Sequence, residues 1–308
     1  MKNVVKRLKN KFRGIVGNVI NTLRYLGEMD KDNRLVINAW MDMFGREPKH
    51  RNLGDELNYY LIRELSGKRI YNLVNLYVKR VPNYCCIGSI VDSMPNKYSY
   101  IWGTGAMLEE RKICCKPLKV CAVRGPLTRQ YLLEQGIDCP EVYGDPALML
   151  PLIYKPARPK KYRVGIIPHI CDFDNPLVQN LTQQLNGKDF IVVKMGGYAD
   201  WHDVIDEINE CEFIVSSSLH GLILSDAYGV PNVWIEFSDK VVGKGFKFRD
   251  YFASVGRDSL VQPIRITPET RLEDILPFQK EWRPIEIDLG KLLDACPFEI
   301  QPKYRNIR

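Results

Sequence analysis

The chain has 308 residues, of which 45% are hydrophobic, 26% charged and 10% aromatic, so it is long enough for two domains with separate cores and has the composition of a globular protein. No run of 18 apolar residues occurs, so we expect no segment that spans a bilayer, and none of the nine cysteines has the spacing of a zinc site. The net charge of +7 is local, because residues 1–27 carry seven basic residues and no acid, and the other 37 basic residues balance 37 acidic ones.

Residues 1–27 are predicted to form a basic amphipathic helix. At 100° per residue, one face collects Val4, Val5, Leu8, Phe12, Ile15, Val16, Val19 and Leu23. Lysines and arginines flank this face, a pattern typical of an interfacial helix on an anionic membrane. The alternative is a helix packed against the protein's own core. A secretory signal fits poorly because asparagines and glycines interrupt the apolar stretch, and no nucleic-acid partner is expected because base-stacking aromatics are lacking.

Residues 28–154 alternate between strand and helix patterns. A turn at Asn52 leads into a helix through Leu65, for which Asp55 is the predicted cap. A second helix is predicted at 126–135, where Pro126 suits the first turn and Gly136 the stop. Strands are predicted at 35–41, 73–78, 84–87, 100–102 and 120–123. This alternation predicts a Rossmann-like domain over 28–154.

A Pro-rich basic linker, 155–162, is followed by a second α/β unit. Strand patterns at 163–168 and 190–194, a helix at 201–210 and a strand before Ser216 predict another Rossmann-like domain over 163–270. Residues 271–308 read as a helical or irregular segment.

The residues that follow this last strand predict an anion site. An apolar strand over 213–215 leads through Ser216, Ser217 and Ser218 into a helix that opens at Leu219. Ligands of open α/β sheets bind at the carboxyl ends of strands, where a helix N-terminus and serine hydroxyls favour negative charge. His220 adds an imidazole, and residues 240–249 add three lysines and an arginine in a glycine-containing loop that we expect to be flexible. The predicted ligand bears phosphate or carboxylate.

The same residues resemble the polysaccharide pyruvyl transferase family. The segments that carry the resemblance are Asn52-Leu-Gly-Asp-Glu-Leu57, Gly103-Thr-Gly105, Val123-Arg-Gly-Pro-Leu-Thr128, Gly144-Asp-Pro-Ala-Leu148, Ser218-Leu-His-Gly-Leu-Ile-Leu-Ser-Asp-Ala-Tyr-Gly-Val-Pro231 and Gly245-Phe-Lys-Phe-Arg-Asp-Tyr-Phe252. They occur in the family's order within residues 35–257. The resemblance implies a glycosyltransferase-B-like arrangement of the two domains. It also implies transfer of pyruvate from phosphoenolpyruvate to two sugar hydroxyls as a ketal, with release of phosphate and without metal or cofactor.

The resemblance and the anion site together predict the roles of particular residues. Expected at the phosphoenolpyruvate donor are Ser217, Ser218, Leu219, His220, Arg124, Lys244, Lys247 and Arg249; expected at the acceptor are Asn52 and Asp55. His220, Arg124 and Asp55 are the predicted catalytic residues, with His220 the first choice for proton transfer. Ser218 stands where many family members have a basic residue, so one expected cation is missing.

Each of these roles has a structural alternative. His220 could cap a turn or only bind phosphate, Arg124 could form a salt bridge between domains, and Asp55 could cap a helix. Asp145 in Gly-Asp-Pro could be a turn residue. We assign His169 and His202 structural roles, because they lack supporting neighbours in the sequence.

Two other function classes stay open at this point. One is a nucleotide-sugar glycosyltransferase of the same architecture, although the helix that opens at Leu219 offers a histidine and no glutamate to a nucleotide sugar. The other is a carbohydrate-binding protein without activity. The expected acceptor is a sugar of a bacterial surface polysaccharide or its polyprenyl-linked precursor. Cysteines in apolar runs favour reduced thiols, so we expect a cytoplasmic protein, peripheral on the inner membrane face.

Overall fold

The computed structural model describes residues 2–41, 43–44, 47–184 and 189–305, which form two five-stranded sheets and a two-stranded ribbon. The strands are β1 (Arg34–Ile37), β2 (Met43–Phe44), β3 (Glu47–Pro48), β4 (Arg69–Asn72), β5 (Asn83–Cys85), β6 (Ser99–Trp102), β7 (Lys119–Ala122), β8 (Tyr162–Ile167), β9 (Phe190–Val192), β10 (Cys211–Ser216), β11 (Asn232–Glu236) and β12 (Ile264–Arg265). The helices are α1 (Lys2–Gly27), α2 (Leu53–Ser66), α3 (Pro126–Glu134), α4 (Pro176–Gln183), α5 (Trp201–Asn209), α6 (Leu219–Ala227), α7 (Phe246–Ser254), α8 (Leu272–Ile275), α9 (Phe278–Glu281) and α10 (Leu289–Asp294).

Both large sheets are parallel, with strand orders β4-β1-β5-β6-β7 and β12-β11-β10-β8-β9. In the second sheet helices link successive strands, and the central strand β10 is buried and reads as an apolar run over 213–215. The predicted α/β class is confirmed, and the two sheets agree with two Rossmann-like domains. The glycosyltransferase-B-like arrangement and the domain boundaries stay predictions.

Three local predictions are wrong. The strand predicted at 73–78 lies earlier, as β4, because Leu73 and Leu76 are buried at a helical spacing against Tyr25 rather than alternating along a strand. Asp55 does not cap α2; the N-cap is Asn52, and Asp55 lies in the first turn. The loop predicted at 240–249 turns into α7 at Phe246, after Gly245 in the left-handed region.

Helix α1 contacts the first sheet through one face near its C-terminus. The Thr22 hydroxyl accepts a hydrogen bond from Tyr77 N at 2.9 Å, and Tyr25 packs edge-on against Tyr71. Another face is exposed and apolar: Phe12, Ile15, Val16, Val19, Ile20, Leu23 and Leu26. The described part of the predicted apolar face therefore does not pack on the core. In the described part of the chain, no helix is both long enough and apolar enough to cross a membrane.

The C-terminal segment connects the two sheets. Leu272 and Ile275 of α8 pack into the core of the second sheet, whereas Trp102 Nε1 of the first sheet donates to Leu292 O of α10 at 2.8 Å. Gln301 N then donates to the last turn of α2, at Leu65 O. Residues after 270 thus return to the first sheet and help to fix it against the second.

Candidate active site

A pocket of about 210 Å³ lies where the two sheets face each other. Its lining residues are Trp40, Asn52, Asp55, Gly88, Ser89, Ile90, Met107, His169, Ile170, Ser218, Leu219, His220 and Lys247. They come from loops after β1, β5, β6, β8 and β10 and from the first turns of α2, α6 and α7. Because the carboxyl ends of parallel strands and the helix N-termini that follow them share one edge of a sheet, the lining collects polar groups from both halves of the chain.

Two helix N-termini point to this pocket without side-chain caps. The N-cap residues are Asn52 for α2 and Ser218 for α6, and neither side chain accepts a hydrogen bond from its own helix. Instead, the Asn52 amide donates to Asp55 Oδ2 at 2.6 Å. First-turn N–H groups carry a partial positive charge and favour a bound anion.

His220 is held between α2 and Asp145. A Cβ on Gly54 would lie 2.2 Å from His220 Nδ1, so only glycine leaves room for the ring. His220 Nε2 is buried 3.9 Å from Asp145 Oδ2, and neither atom has a hydrogen-bond partner among the described residues. Burial, then Lys247 and Arg124, lower the pKa of His220 to about 3, so these surroundings favour the neutral imidazole.

Lys247 is a buried cation without a partner. Its side chain is 6% exposed, and it forms no hydrogen bond or ion pair within the described residues; its ammonium lies 5.5 Å from the centre of the Phe248 ring. Burial, followed by the charge of Arg124, lowers its pKa to about 8. A buried charge without a counter-ion is unfavourable, so the entry of an anion into the pocket should be favourable.

Asp55 shares the pocket with this lysine. Burial raises its pKa to about 7, and the Asn52 hydrogen bond opposes that rise. A carboxyl group that titrates near neutrality can accept or donate a proton at physiological pH. Asp145 is buried too, and burial raises its pKa to about 7, while its Oδ1 accepts from Ala147 N as a helix cap.

Arg124 forms the salt bridge that the sequence left as an alternative. It is fully buried, and its guanidinium donates to Asp250 Oδ2 at 2.9 Å, to Ser89 Oγ at 2.6 Å and to Ala106 O at 3.0 Å. Asp250 belongs to α7, so the pair joins the two halves of the chain. Gly105 has no room for a Cβ beside the guanidinium. Arg124 reaches the pocket only through Ser89, and direct contact with a donor stays a prediction.

The other predicted residues divide into two groups. Ser218 and Leu219 line the pocket, whereas the Ser217 hydroxyl, buried behind it, accepts from His169 N at 2.8 Å. Lys244 and Arg249 do not line it; Arg249 Nη1 donates to Lys244 O. Of the predicted cations in residues 240–249, Lys247 is the one that lines the pocket.

His169 and Trp40 were missed. His169 lines the pocket, and burial and Lys247 lower its pKa to about 4. Its position just after β8, the strand next to β10, is the sequence feature that could have placed it at the pocket. Trp40 follows β1 and is 61% exposed at the rim, where its ring can pack against a sugar. His202, by contrast, is held by Asp200 outside the pocket, as a structural residue would be.

These features define an α/β protein with a polar, partly cationic pocket between two parallel sheets, and this pocket favours a bound anion. The polysaccharide pyruvyl transferase family model matches residues 52–239, and the chain belongs to this family. The match includes α2 and α6 but ends before Lys247.

Two relatives extend this comparison. The chain is 32% identical to an uncharacterized protein of Acanthamoeba polyphaga mimivirus over 68% of this chain and 72% of the relative. It is 27% identical to the succinoglycan biosynthesis protein ExoV of Rhizobium meliloti over 77% of this chain and 71% of that protein. No solved structure matches the chain significantly.

Proposed function

We propose that the protein transfers the pyruvyl group of phosphoenolpyruvate to two hydroxyls of one sugar, forming a ketal and releasing phosphate. The observation that carries this proposal is the buried ammonium of Lys247, which has no ion pair with a described residue and shares its pocket with Asp55 and with two helix N-termini that lack side-chain caps. Phosphoenolpyruvate bears a carboxylate and a phosphate, and both need such positive groups.

The reaction requires two proton transfers in opposite directions. The methylene carbon of the donor gains a proton, which makes the adjacent carbon electrophilic. Two sugar oxygens then bond to that carbon in turn, and its bond to the phosphate oxygen breaks. The hydroxyls lose two protons: one balances the proton gained by the methylene group, and the other leaves with phosphate.

We assign the base to Asp55 and the acid to His220. Asp55 is partly ionised at neutral pH and lies next to Asn52, so it can accept the hydroxyl proton. Without a bound anion His220 is neutral, because burial and then Lys247 disfavour its charged form. The negative charges of a bound donor offset that effect and raise the pKa of His220, so the imidazole gains the proton when the donor arrives. Lys247 and the first turn of α6 hold the donor.

The acceptor is proposed to be a sugar of a bacterial surface polysaccharide or its polyprenyl-linked precursor. The family name and the role of ExoV in succinoglycan biosynthesis support a polysaccharide acceptor. Trp40 at the rim offers the sugar an apolar platform, and Asn52 and Asp55 lie beside it in the same pocket. We further propose a cytoplasmic protein that binds the inner membrane face through residues 1–27, since Phe12 and the described aliphatic side chains of α1 after it are exposed.

Ligand-dependent thermal unfolding separates the function classes. We expect phosphoenolpyruvate to raise the melting temperature of the protein, because it binds only the folded state, and UDP-sugars to leave it unchanged. Stabilisation by a UDP-sugar and not by phosphoenolpyruvate would favour a glycosyltransferase. A protein stabilised by neither, but by a polysaccharide, would be a carbohydrate-binding protein.

A further inference from the structure

A second cavity, of about 400 Å³, lies between α1, the edge strand β4 and α2. No residue of its lining is shared with the candidate active site. The polar and charged members of the lining are Asn21, Arg24, Asn33, Tyr59, Arg63, Glu64, Lys68, Arg69, Tyr71, Asn72, Asn75 and Gln301. Four of these are basic and one is acidic, so the cavity favours a negatively charged ligand.

Two of the four cations lack a counter-ion. Arg63 lies 3.7 Å from Glu64, and Arg69 pairs with Glu28 from the end of α1. Arg24 and Lys68 have no ion pair among the described residues. Two uncompensated charges at one cavity match the charge of a terminal phosphate.

Asn21 supplies a polar group that is open to a ligand. The residue is 5% exposed and lines the cavity, its amide reaches solvent there, and the side chain has no hydrogen bond within the described part of the chain. The neighbouring Asn72 and Asn75 use their amides, accepting from the N–H groups of Ala39 and Met43. Because no described group bonds the Asn21 amide, the amide can hydrogen-bond a polar ligand that enters the cavity.

The surface beside the cavity indicates what the ligand carries. Arg24 lies on α1 between the face that packs on the sheet and the exposed apolar face that contains Val19, Leu23 and Leu26. A phosphate in the cavity therefore places any attached chain along exposed aliphatic side chains. We propose that this cavity binds the terminal phosphate of a membrane lipid whose acyl chains lie against α1. The proposal does not rest on pyruvyl transfer.

Vesicle binding by the full-length protein tests this site. The probes are phosphatidylcholine vesicles that contain either phosphatidic acid, which has a terminal phosphate, or phosphatidylglycerol, which does not, at matched surface potential. We expect tighter binding to phosphatidic acid. Each basic residue contributes about fivefold near an anionic surface, so Arg24→Gln with Lys68→Gln should weaken this binding about 30-fold.

Two further variants sharpen the test. The matched control, Lys112→Gln with Lys116→Gln, removes the same charge from the loop between β6 and β7, beside the opposite edge of the first sheet, and should leave vesicle binding unchanged. Asn21→Leu removes the unpaired amide without changing charge and should weaken binding to phosphatidic acid about tenfold. Circular dichroism checks that each variant is folded.

Several results would overturn the proposal. They are equal binding to both lipids, equal loss in the control pair, unchanged binding in the Arg24 and Lys68 variant, and binding of soluble phosphate without vesicle binding. Transfer from phosphoenolpyruvate to a soluble sugar should be normal in the Arg24 and Lys68 variant. This measurement separates failure of the lipid site from failure of the proposed activity.

Discussion

Burial moves the titration of two neighbouring side chains toward neutrality. The pKa of Lys247 is lowered to about 8 and that of Asp55 is raised to about 7, mainly because each lies away from water. Neither effect stabilises the fold, since each disfavours the ordinary charged form. Side chains with perturbed pKa values that line one pocket are typical of functional sites. We therefore assign both side chains to ligand binding rather than to stabilisation of the fold.

Lys247→Met should separate stability from activity. Loss of the buried, unpaired charge should raise the free energy of unfolding, by about 1–3 kcal/mol, because the apolar side chain has no charge to desolvate. Loss of the anion contact should lower kcat/KM for phosphoenolpyruvate about 10²- to 10³-fold. Urea unfolding and steady-state kinetics measure the two effects.

The matched control for this variant is Lys244→Met. Lys244 is exposed and does not line the pocket, so its loss should change kcat/KM less than threefold, equivalent to about 0.6 kcal/mol. Equal losses of activity in the two variants would show that general positive charge, and not the pocket, binds the donor.

The pH dependence of kcat/KM should be a narrow bell. On the acid side the rate should fall below about pH 7, where Asp55 becomes protonated and can no longer act as base. On the alkaline side it should fall above about pH 8, where Lys247 loses the charge that holds the donor. Asp55→Asn should abolish the activity, and Lys247→Met should abolish the alkaline limb. An alkaline limb that persists in Lys247→Met would contradict the assignment.

Sequence alone predicts much of this pocket because its residues follow a recognisable pattern. Ser218, Leu219 and His220 open a helix after a buried strand, and Asn52 and Asp55 belong to a strand-to-helix turn of the other sheet. The missed residues have no such pattern: His169 and Trp40 follow strands in loops without a motif. The burial of Arg124 against Asp250, 126 positions away, is a tertiary contact that no local pattern shows.

At the scale of elements, the first turns of α2 and α6 pack so closely that one side chain sits between them. His220 from α6 lies against Gly54 of α2, where a methyl group would overlap its ring. This contact joins two of the helix-opening motifs of the resemblance, one in each half of the chain. It also makes the position of the imidazole depend on both halves of the chain.

Gly54→Ala should therefore damage activity through His220. Its Cβ would meet His220 Nδ1 at 2.2 Å and Cγ at 2.6 Å, so the ring must move, at a cost of about 1–3 kcal/mol in stability. When Gly54→Ala is introduced into a His220→Ala variant, it should cost almost no stability, because the imidazole that it would overlap is absent. Gly17→Ala in α1, where a Cβ meets no atom within 4 Å, is the control and should stabilise slightly. If the stability losses of Gly54→Ala and His220→Ala added up in the double variant, the effect of Gly54→Ala would not pass through His220.

Local element predictions fail where a tertiary contact decides the outcome. The segment predicted as a strand at 73–78 contains a 3-10 turn, because Leu73 and Leu76 turn toward α1 rather than alternating in a sheet. The glycines at 243 and 245 suggested a flexible loop, but both adopt positive φ just before α7 and start that helix. Glycine suits both a hinge and the start of a helix, and here the packing of α7 favours the start of a helix.

At the scale of the whole molecule, buried polar contacts and the C-terminal segment connect the two sheets. The Arg124–Asp250 pair, the hydrogen bond from Leu53 N to Met195 O and the bond from Trp102 to Leu292 O all span distant parts of the chain. The pocket lies among these contacts. Its shape therefore depends on how firmly the halves are joined.

Removal of one partner of the buried pair should destabilise the molecule strongly. Arg124→Ala leaves Asp250 buried and unpaired, and we expect a loss of about 3–5 kcal/mol in the free energy of unfolding, measured in urea. Arg265→Ala, which breaks an exposed pair with Asp239, is the control and should cost less than about 1 kcal/mol. A combined Arg124→Met and Asp250→Leu variant should recover part of the stability. If Arg124→Ala instead unfolds like the native protein but loses activity, its role lies in direct donor contact.

The central claim is ketal formation from phosphoenolpyruvate, and nuclear magnetic resonance of the reaction with a donor labelled with carbon-13 at the methylene carbon tests it most directly. The predicted result is conversion of the methylene signal into the signal of a methyl group on the ketal carbon, which the donor contributes and which two sugar oxygens bond. One phosphate should be released for each ketal formed, and Lys247→Met should slow the formation of both products about 10²- to 10³-fold. Phosphate release that yields free pyruvate in place of a ketal, or transfer that occurs only with a nucleotide sugar, would contradict the claim.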